Sequence, residues 1–155
     1  MPEWRSDAGD RVRVVVGSFA GVSSTLAPLE PFALLDVWLR REVSLDLQPA
    51  HNAVVYVLAG YLAVRADGCQ EKMEGGHAMA LHGGGHGGLV TFEALPRSHF
   101  LVLSGTEIRE PVVRQGPFIM NDPLQVEEAG IRYRTGAMGH LAPLPYPDPG
   151  PAARI

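Results

Sequence analysis

Three imidazoles fall within ten residues in His77-Ala78-Met79-Ala80-Leu81-His82-Gly83-Gly84-Gly85-His86. Histidine is the side chain most given to binding zinc, copper or nickel near neutral pH. Their spacing works against one shared ion. On a strand, His77 and His82 are an odd number of positions apart and project to opposite faces, while His82 and His86 lie in a glycine loop that is entropically expensive to order. No carboxylate stands immediately beside them. A solvated loop is therefore the expected state, with opportunistic metal binding as the alternative. The same glycines lack the strand-to-helix setting and the lysine of a phosphate loop.

The other groups with reactive chemistry are more scattered. His51 precedes the apolar run 53–58 and is expected to hydrogen-bond loop backbone, with a ligand or partner contact as the alternative. His99 stands before Phe100-Leu101-Val102-Leu103, a setting that predicts strand-edge packing. Ser104, His99 and Asp36 could be drawn as a hydrolytic triad, but the Gly-x-Ser-x-Gly context is missing. Cys69 follows Asp67-Gly68 in an expected turn with Glu71 nearby, and nothing local would activate its thiol. No catalytic residue is assigned. For a metal, His51, His77, His82, His86 and His99 remain the candidates.

Short β-strands must position these side chains. Val12, Val14 and Val16 alternate with Arg11, Arg13 and Val15. In 34–40, Leu35, Val37 and Leu39 share one face, and Asp36 and Arg40 take the other. Residues 44–47 alternate in the same way. The run 53–58 enters Ala59-Gly60 and restarts over 61–64, which predicts a tight hairpin with Gly60 at positive φ. Further strands are expected over 78–81, 89–93 and 100–103, with a short one around Val112-Val113. Many short strands without helical periodicity imply an antiparallel sandwich or barrel, and a jelly roll is one such solution.

One helix is expected, over about 122–135. Asp122 can cap it, Pro123 suits its first position, and Gln125 stands three residues after the cap. Arg132 and Arg134 favour its negative end, and Gly136 can end it in the left-handed conformation. Interior Gly130 lowers helix stability by about 1 kcal/mol relative to Ala, so contacts through Leu124, Ile131 and Tyr133 are expected to dock the helix on the sheet. The domain is expected to span 11–140, between a flexible N-terminus at 1–10 and a flexible Pro-rich tail at 141–155.

Composition narrows the function classes. Of 155 residues, 46% are hydrophobic and 19% charged, as in ordinary globular domains, and the length suits one domain. Seventeen acidic against 13 basic residues, with no Lys/Arg run, argue against direct nucleic-acid binding. The polar start and the lack of any long apolar run argue against a signal peptide or a membrane span. The single cysteine fits a reducing compartment, so a cytoplasmic location is expected.

Glu110-Pro111-Val112-Val113-Arg114-Gln115-Gly116-Pro117-Phe118-Ile119-Met120-Asn121, with Tyr133 and Gly136 downstream, resembles the closing segment of the pirin family. The similarity extends over roughly Val12 to Gly139. Pirins are two-domain cupin proteins whose N-terminal cupin carries a histidine/glutamate iron site. The resemblance implies an all-β, antiparallel jelly-roll/cupin β-sandwich with one C-terminal α-helix, corresponding to the C-terminal cupin alone. Within the signature, Glu110, Pro111, Gly116, Pro117, Phe118, Met120 and Asn121 are expected to be structural. The prolines fix φ, Gly116 lets the chain turn, and Phe118, Ile119 and Met120 supply apolar anchors.

Active cupins of this kind place a Glu seven residues before a Gly, with a His-x-His pair upstream. Setting that Gly at Gly60 puts Ala53 at the Glu position, Gln48 or Pro49 at one histidine and Asp46 or Leu47 at the other. Sliding the frame to use His51 leaves Pro49 as its partner. No metal ligand is carried over, and no cofactor is expected, with iron or another divalent metal as the alternative.

Two functions follow from the resemblance. One is a non-catalytic binding or assembly module that pairs with itself or with a second cupin half. The other is a metal-dependent dioxygenase of the quercetin 2,3-dioxygenase type, alone or with a separate N-terminal half. A small ligand held in the barrel without metal is a third option, to be decided by whether the interior is open or filled.

Overall fold

Strict alternation in Arg11–Val16 buries Val12, Val14 and Val16 and leaves the intervening side chains half-buried. The same period places Leu35, Val37 and Leu39 in the core from Phe32–Leu39. The computed structural model describes residues 1–142. Of the Pro-rich tail expected at 141–155, residues 143–155 lie outside the described residues. The chain divides into two compact units, Met1–Ile108 and the residues from Arg109 onward.

The first unit contains β1 (Glu3–Arg5), β2 (Arg11–Val16), β3 (Ser18–Phe19), β4 (Val22–Ser23), β5 (Phe32–Leu39), β6 (Glu42–Leu47), β7 (His51–Ala66), β8 (Cys69–Glu74), β9 (Ala78–His82) and β10 (Gly88–Thr106). All pairings are antiparallel. Residues 1–10, expected as a flexible lead-in, contribute β1, which pairs with β2, and the buried Asp10.

Two long strands build the sandwich, because β7 and β10 each change partners half-way along. Their stretches 51–59 and 98–106 pair with each other and with β9 and β5, giving the leaf β1-β2-β5-β10-β7-β9. Their stretches 61–66 and 88–94 pair with β8 and β6, giving a second leaf β6-β10-β7-β8. One continuous core joins the leaves: Val12, Leu35, Val55 and Phe100 from the first meet Val43, Leu62, Val90 and Phe92 from the second. The Phe92 and Phe100 rings lie 5.1 Å apart. Each fully buried side chain of this size contributes about 1.5–3 kcal/mol. The interior is filled by these side chains, which is the outcome that disfavours a ligand held between the leaves.

The sequence predicts a hairpin at Ala59-Gly60, and the structure corrects it. Gly60 has the expected positive φ of 83°, yet β7 runs straight through it and bends. A Cβ there would collide with the Arg97 carbonyl oxygen, where β10 shifts register between Ala94 and Ser98. The tight two-residue hairpin lies instead at Asp67-Gly68, both at positive φ, between β7 and β8. The strands expected at 89–93 and 100–103 likewise merge into β10.

The second unit holds β11 (Val113–Gln115), β12 (Phe118–Met120) and α1 (Pro123–Arg134). Gly116, at φ 57°, turns β11 back onto β12. Asp122 caps α1 by accepting from the Leu124 N–H at 2.7 Å. The Gln125 side chain accepts from the Asn121 N–H rather than from the cap residue itself. Gly136 follows the helix at φ 74°, with the Ala137 N–H donating to the Arg132 carbonyl and the Gly136 N–H to that of Tyr133. This is the Schellman closure. The expected contact residues Leu124, Ile131 and Tyr133 are exposed, and α1 buries Val126 and Ala129. Within this unit the helix packs on the β11–β12 hairpin, where the Tyr133 ring still meets Phe118 edge-on at 5.9 Å.

Candidate functional site

Sheet register assembles a site that no stretch of sequence displays. On the outer face of the first leaf, Arg5, Arg11, Trp38, His99 and Ala59 stand side by side across β1, β2, β5, β10 and β7. The next row is Glu3, Arg13, Asp36, Leu101 and Tyr56. Carboxylates of the second row bind cations of both. Glu3 accepts from Arg5 at 2.8 Å and Arg13 at 3.3 Å and lies 3.8 Å from Arg11. Asp36 accepts from His99 Nε2 at 2.8 Å and lies 3.5 Å from Arg13. The Arg5 hydrogen bond is the main reason the Glu3 carboxyl titrates below its usual range. Desolvation opposes it, and Arg13 and Arg11 add to the lowering.

Trp38 is the centre of the first row. The Arg11 guanidinium sits 3.6 Å from its ring centroid, and the His99 imidazole stacks on it at 4.4 Å and 16°. Above the row lies a cavity of about 490 Å³, lined in part by Arg5, Arg11, Arg40, Arg97, Trp38 and His99. Asp10 fixes one wall of it. This buried carboxylate accepts from the Arg40 N–H at 2.7 Å, the Arg41 N–H at 3.1 Å and the Ser6 hydroxyl at 2.7 Å, tying the β1–β2 turn to the β5–β6 turn. Burial alone would raise its pKa, but the Ser6 hydroxyl and the two backbone N–H groups outweigh burial and hold it below the usual Asp range.

The histidines weighed for a metal do not converge. His51 begins β7 opposite Thr106. His77, in the turn before β9, donates through Nδ1 to the Glu74 carbonyl at 3.2 Å. His82 ends β9 with Nδ1 3.2 Å from the Asn52 side-chain oxygen. His86 lies in the 83–87 loop. His99 belongs to the row above, and the strand-edge packing expected for it is corrected, because β10 lies between β5 and β7. Ser104 is buried on the face of β10 opposite His99, which breaks the Ser104–His99–Asp36 triad. Cys69 is exposed at the start of β8.

In the second unit, Asn121 draws the signature together. Its Nδ2 donates to Glu110 Oε2 at 2.8 Å and to the Pro111 carbonyl at 3.0 Å. Gly116 and Pro117 occupy the β11–β12 turn, and Phe118 and Met120 lie on β12.

Comparison with known proteins places this architecture. The family described as Pirin C-terminal cupin domain matches residues 34–139. The chain belongs to the pirin family. Pirin of Mus musculus is 30% identical over 135 residues, covering 84% of this chain and 46% of that protein. A pirin-like protein of Arabidopsis thaliana is 32% identical over 126 residues, covering 77% and 40%. A solved structure of quercetin 2,3-dioxygenase from Acinetobacter baumannii superposes with a TM-score of 0.77 at 26% identity, covering 92% of this chain and 48% of that one. The chain spans about half the length of the curated relatives it matches.

For a pirin domain the metal question can be put to the donors themselves. Iron of the oxygenase kind wants about two imidazoles and a carboxylate with open positions. Among the described residues, no group of three or more His, Cys, Asp or Glu side chains is placed to hold one ion.

Sequence reasoning missed the Arg5–Arg11–Trp38–His99 row. Its signal, Arg11 and Arg13 alternating in β2 and Asp36 and Trp38 in β5, becomes readable only once strand register is known.

Proposed function

We infer that this pirin C-terminal cupin domain is a binding and assembly module, and that its occupant is a second copy of the same chain. The observation that carries this is an apolar stripe on the outer face of the first leaf. Val54 is 45% exposed, Tyr56 40%, Leu58 42% and Leu103 47%. Leu103 stands beside Val54, and Leu101 beside Tyr56, across the β10–β7 pair. A contiguous stripe of this kind in water favours burial against a partner. Relatives about twice as long support a second domain of similar size as that partner. Two copies joined through one self-complementary patch give a closed dimer. Static light scattering on the purified chain tests this. A mass twice 16.7 kDa supports it, and a mass of 16.7 kDa at every concentration refutes it.

The likeness to a structure named quercetin 2,3-dioxygenase favours a second reading, a dioxygenase formed with a separate metal-bearing half. Metal analysis of untagged protein, followed by oxygen uptake with quercetin, tests the isolated chain. Stoichiometric metal with uptake would establish autonomous activity. Substoichiometric metal without uptake would leave the assembly reading for this chain.

A further inference from the structure

We propose that the cavity over the Arg5–Arg11–Trp38–His99 row binds a small organic polyanion, a phosphate ester or a polycarboxylate. Four arginines, Arg5, Arg11, Arg40 and Arg97, line it together with His99, and no acidic residue does among the described residues, in a chain whose formal charge is −4. Cations gathered at one site repel one another unless anions neutralise them. The fold neutralises only part of this set. Glu3 pairs with Arg5 and Arg11, and Asp36 pairs with His99. Arg40 and Arg97 make no side-chain ion pair or hydrogen bond among the described residues. Two cavity-lining arginines are thus left without an internal anion, and a guanidinium is the side chain best suited to capture anionic oxygens bidentately.

The backbone that carries these two arginines is fixed. The Asp10 carboxylate fixes the Arg40 and Arg41 N–H groups. The Arg40 side chain lies over Gly9, where a Cβ would come into van der Waals contact with Nη1 at 3.4 Å. Arg97 stands in the register shift of β10 against Gly60. The volume of about 490 Å³ falls within the range of small-molecule sites.

Recognition here is by charge. Trp38 already stacks on Arg11 and on His99, from the strands on either side of it. A flat neutral ring therefore gains little from the indole, whereas a polyanion relieves the excess of positive charge. This points away from neutral aromatics.

Isothermal titration of the full chain with inorganic pyrophosphate and with citrate, at about 0.05 M ionic strength to limit screening, tests the site. Saturable one-to-one binding of either probe is expected. Tighter pyrophosphate identifies a phosphate ester, and tighter citrate a polycarboxylate. The Arg40→Gln/Arg97→Gln double variant removes groups that hold no side-chain partner among the described residues, so its thermal midpoint should match the parent. Its affinity should fall about tenfold or more, and Arg97→Gln alone should show part of that loss. Absence of saturable binding by both probes, or undiminished binding by the double variant, overturns the proposal.

Discussion

The imidazole of His99 stacks on the indole of Trp38, ring centroids 4.4 Å apart and planes 16° from parallel, directly across the β10–β5 pair. The same ring donates to Asp36 at 2.8 Å. His99 is thereby held by two partners on the neighbouring strand. His99→Leu keeps an apolar body but loses both contacts. It should lower unfolding free energy by about 1–2 kcal/mol in urea titration and alter tryptophan fluorescence. Unchanged stability would show the stack to be incidental.

Asp10 is a buried acceptor shared by two turns. Asp10→Ala strands the Arg40 and Arg41 N–H groups and should cost about 2–3 kcal/mol. Its pH dependence has a definite sign. The carboxyl is held below its ordinary value in the fold, so the unfolded chain takes up the proton more readily. The stabilisation is complete above the unfolded value of about 3.9 and is lost as pH falls through the lower folded value. Acid unfolding of the parent should therefore show a loss of stability below about pH 4 that Asp10→Asn lacks.

Gly60 and Gly68 are both at positive φ, but their surroundings differ. A Cβ at Gly68 meets nothing within 4 Å, while one at Gly60 meets the Arg97 carbonyl. Gly68→Ala should cost about 1 kcal/mol from backbone conformation. Gly60→Ala should cost about 3 kcal/mol or more, because β10 must also move. Chemical denaturation of the two variants compares these values directly.

Asn121 closes the signature on itself through Glu110 and Pro111. Asn121→Ala should loosen the second unit by about 1 kcal/mol. Amide hydrogen exchange in β11, β12 and α1 should then quicken about fivefold, with β2 and β5 unaffected.

Period-two alternation made the faces of β2, β5 and β6 readable, because inward valines and leucines there alternate with charged or polar residues. The Pro, Gly and capping residues did the same for α1. Strand length was not readable at β7 and β10. A glycine at positive φ looks alike in a hairpin and in a bend, and only the approach of Arg97 to Gly60 distinguishes them. Of the helix contacts, Tyr133 still meets Phe118, whereas Leu124 and Ile131 are exposed and the smaller Val126 and Ala129 are the residues buried. The site depended on register between strands distant in sequence, so Arg11, Trp38 and His99 gave no local pattern. The histidines at 77, 82 and 86 gave a strong local pattern and no shared site.

The exposed stripe of Val54, Tyr56, Leu58 and Leu103 carries the claim that this domain assembles. Sedimentation velocity on the parent chain and on Tyr56→Glu/Leu103→Glu, across a range of protein concentrations, tests it most directly. The two side chains project away from the core, so the variant should keep its fold by circular dichroism. The account expects a parent dimer of two 16.7 kDa chains and a monomeric variant. A parent that sediments as a monomer throughout, or a variant that still dimerises, would contradict it.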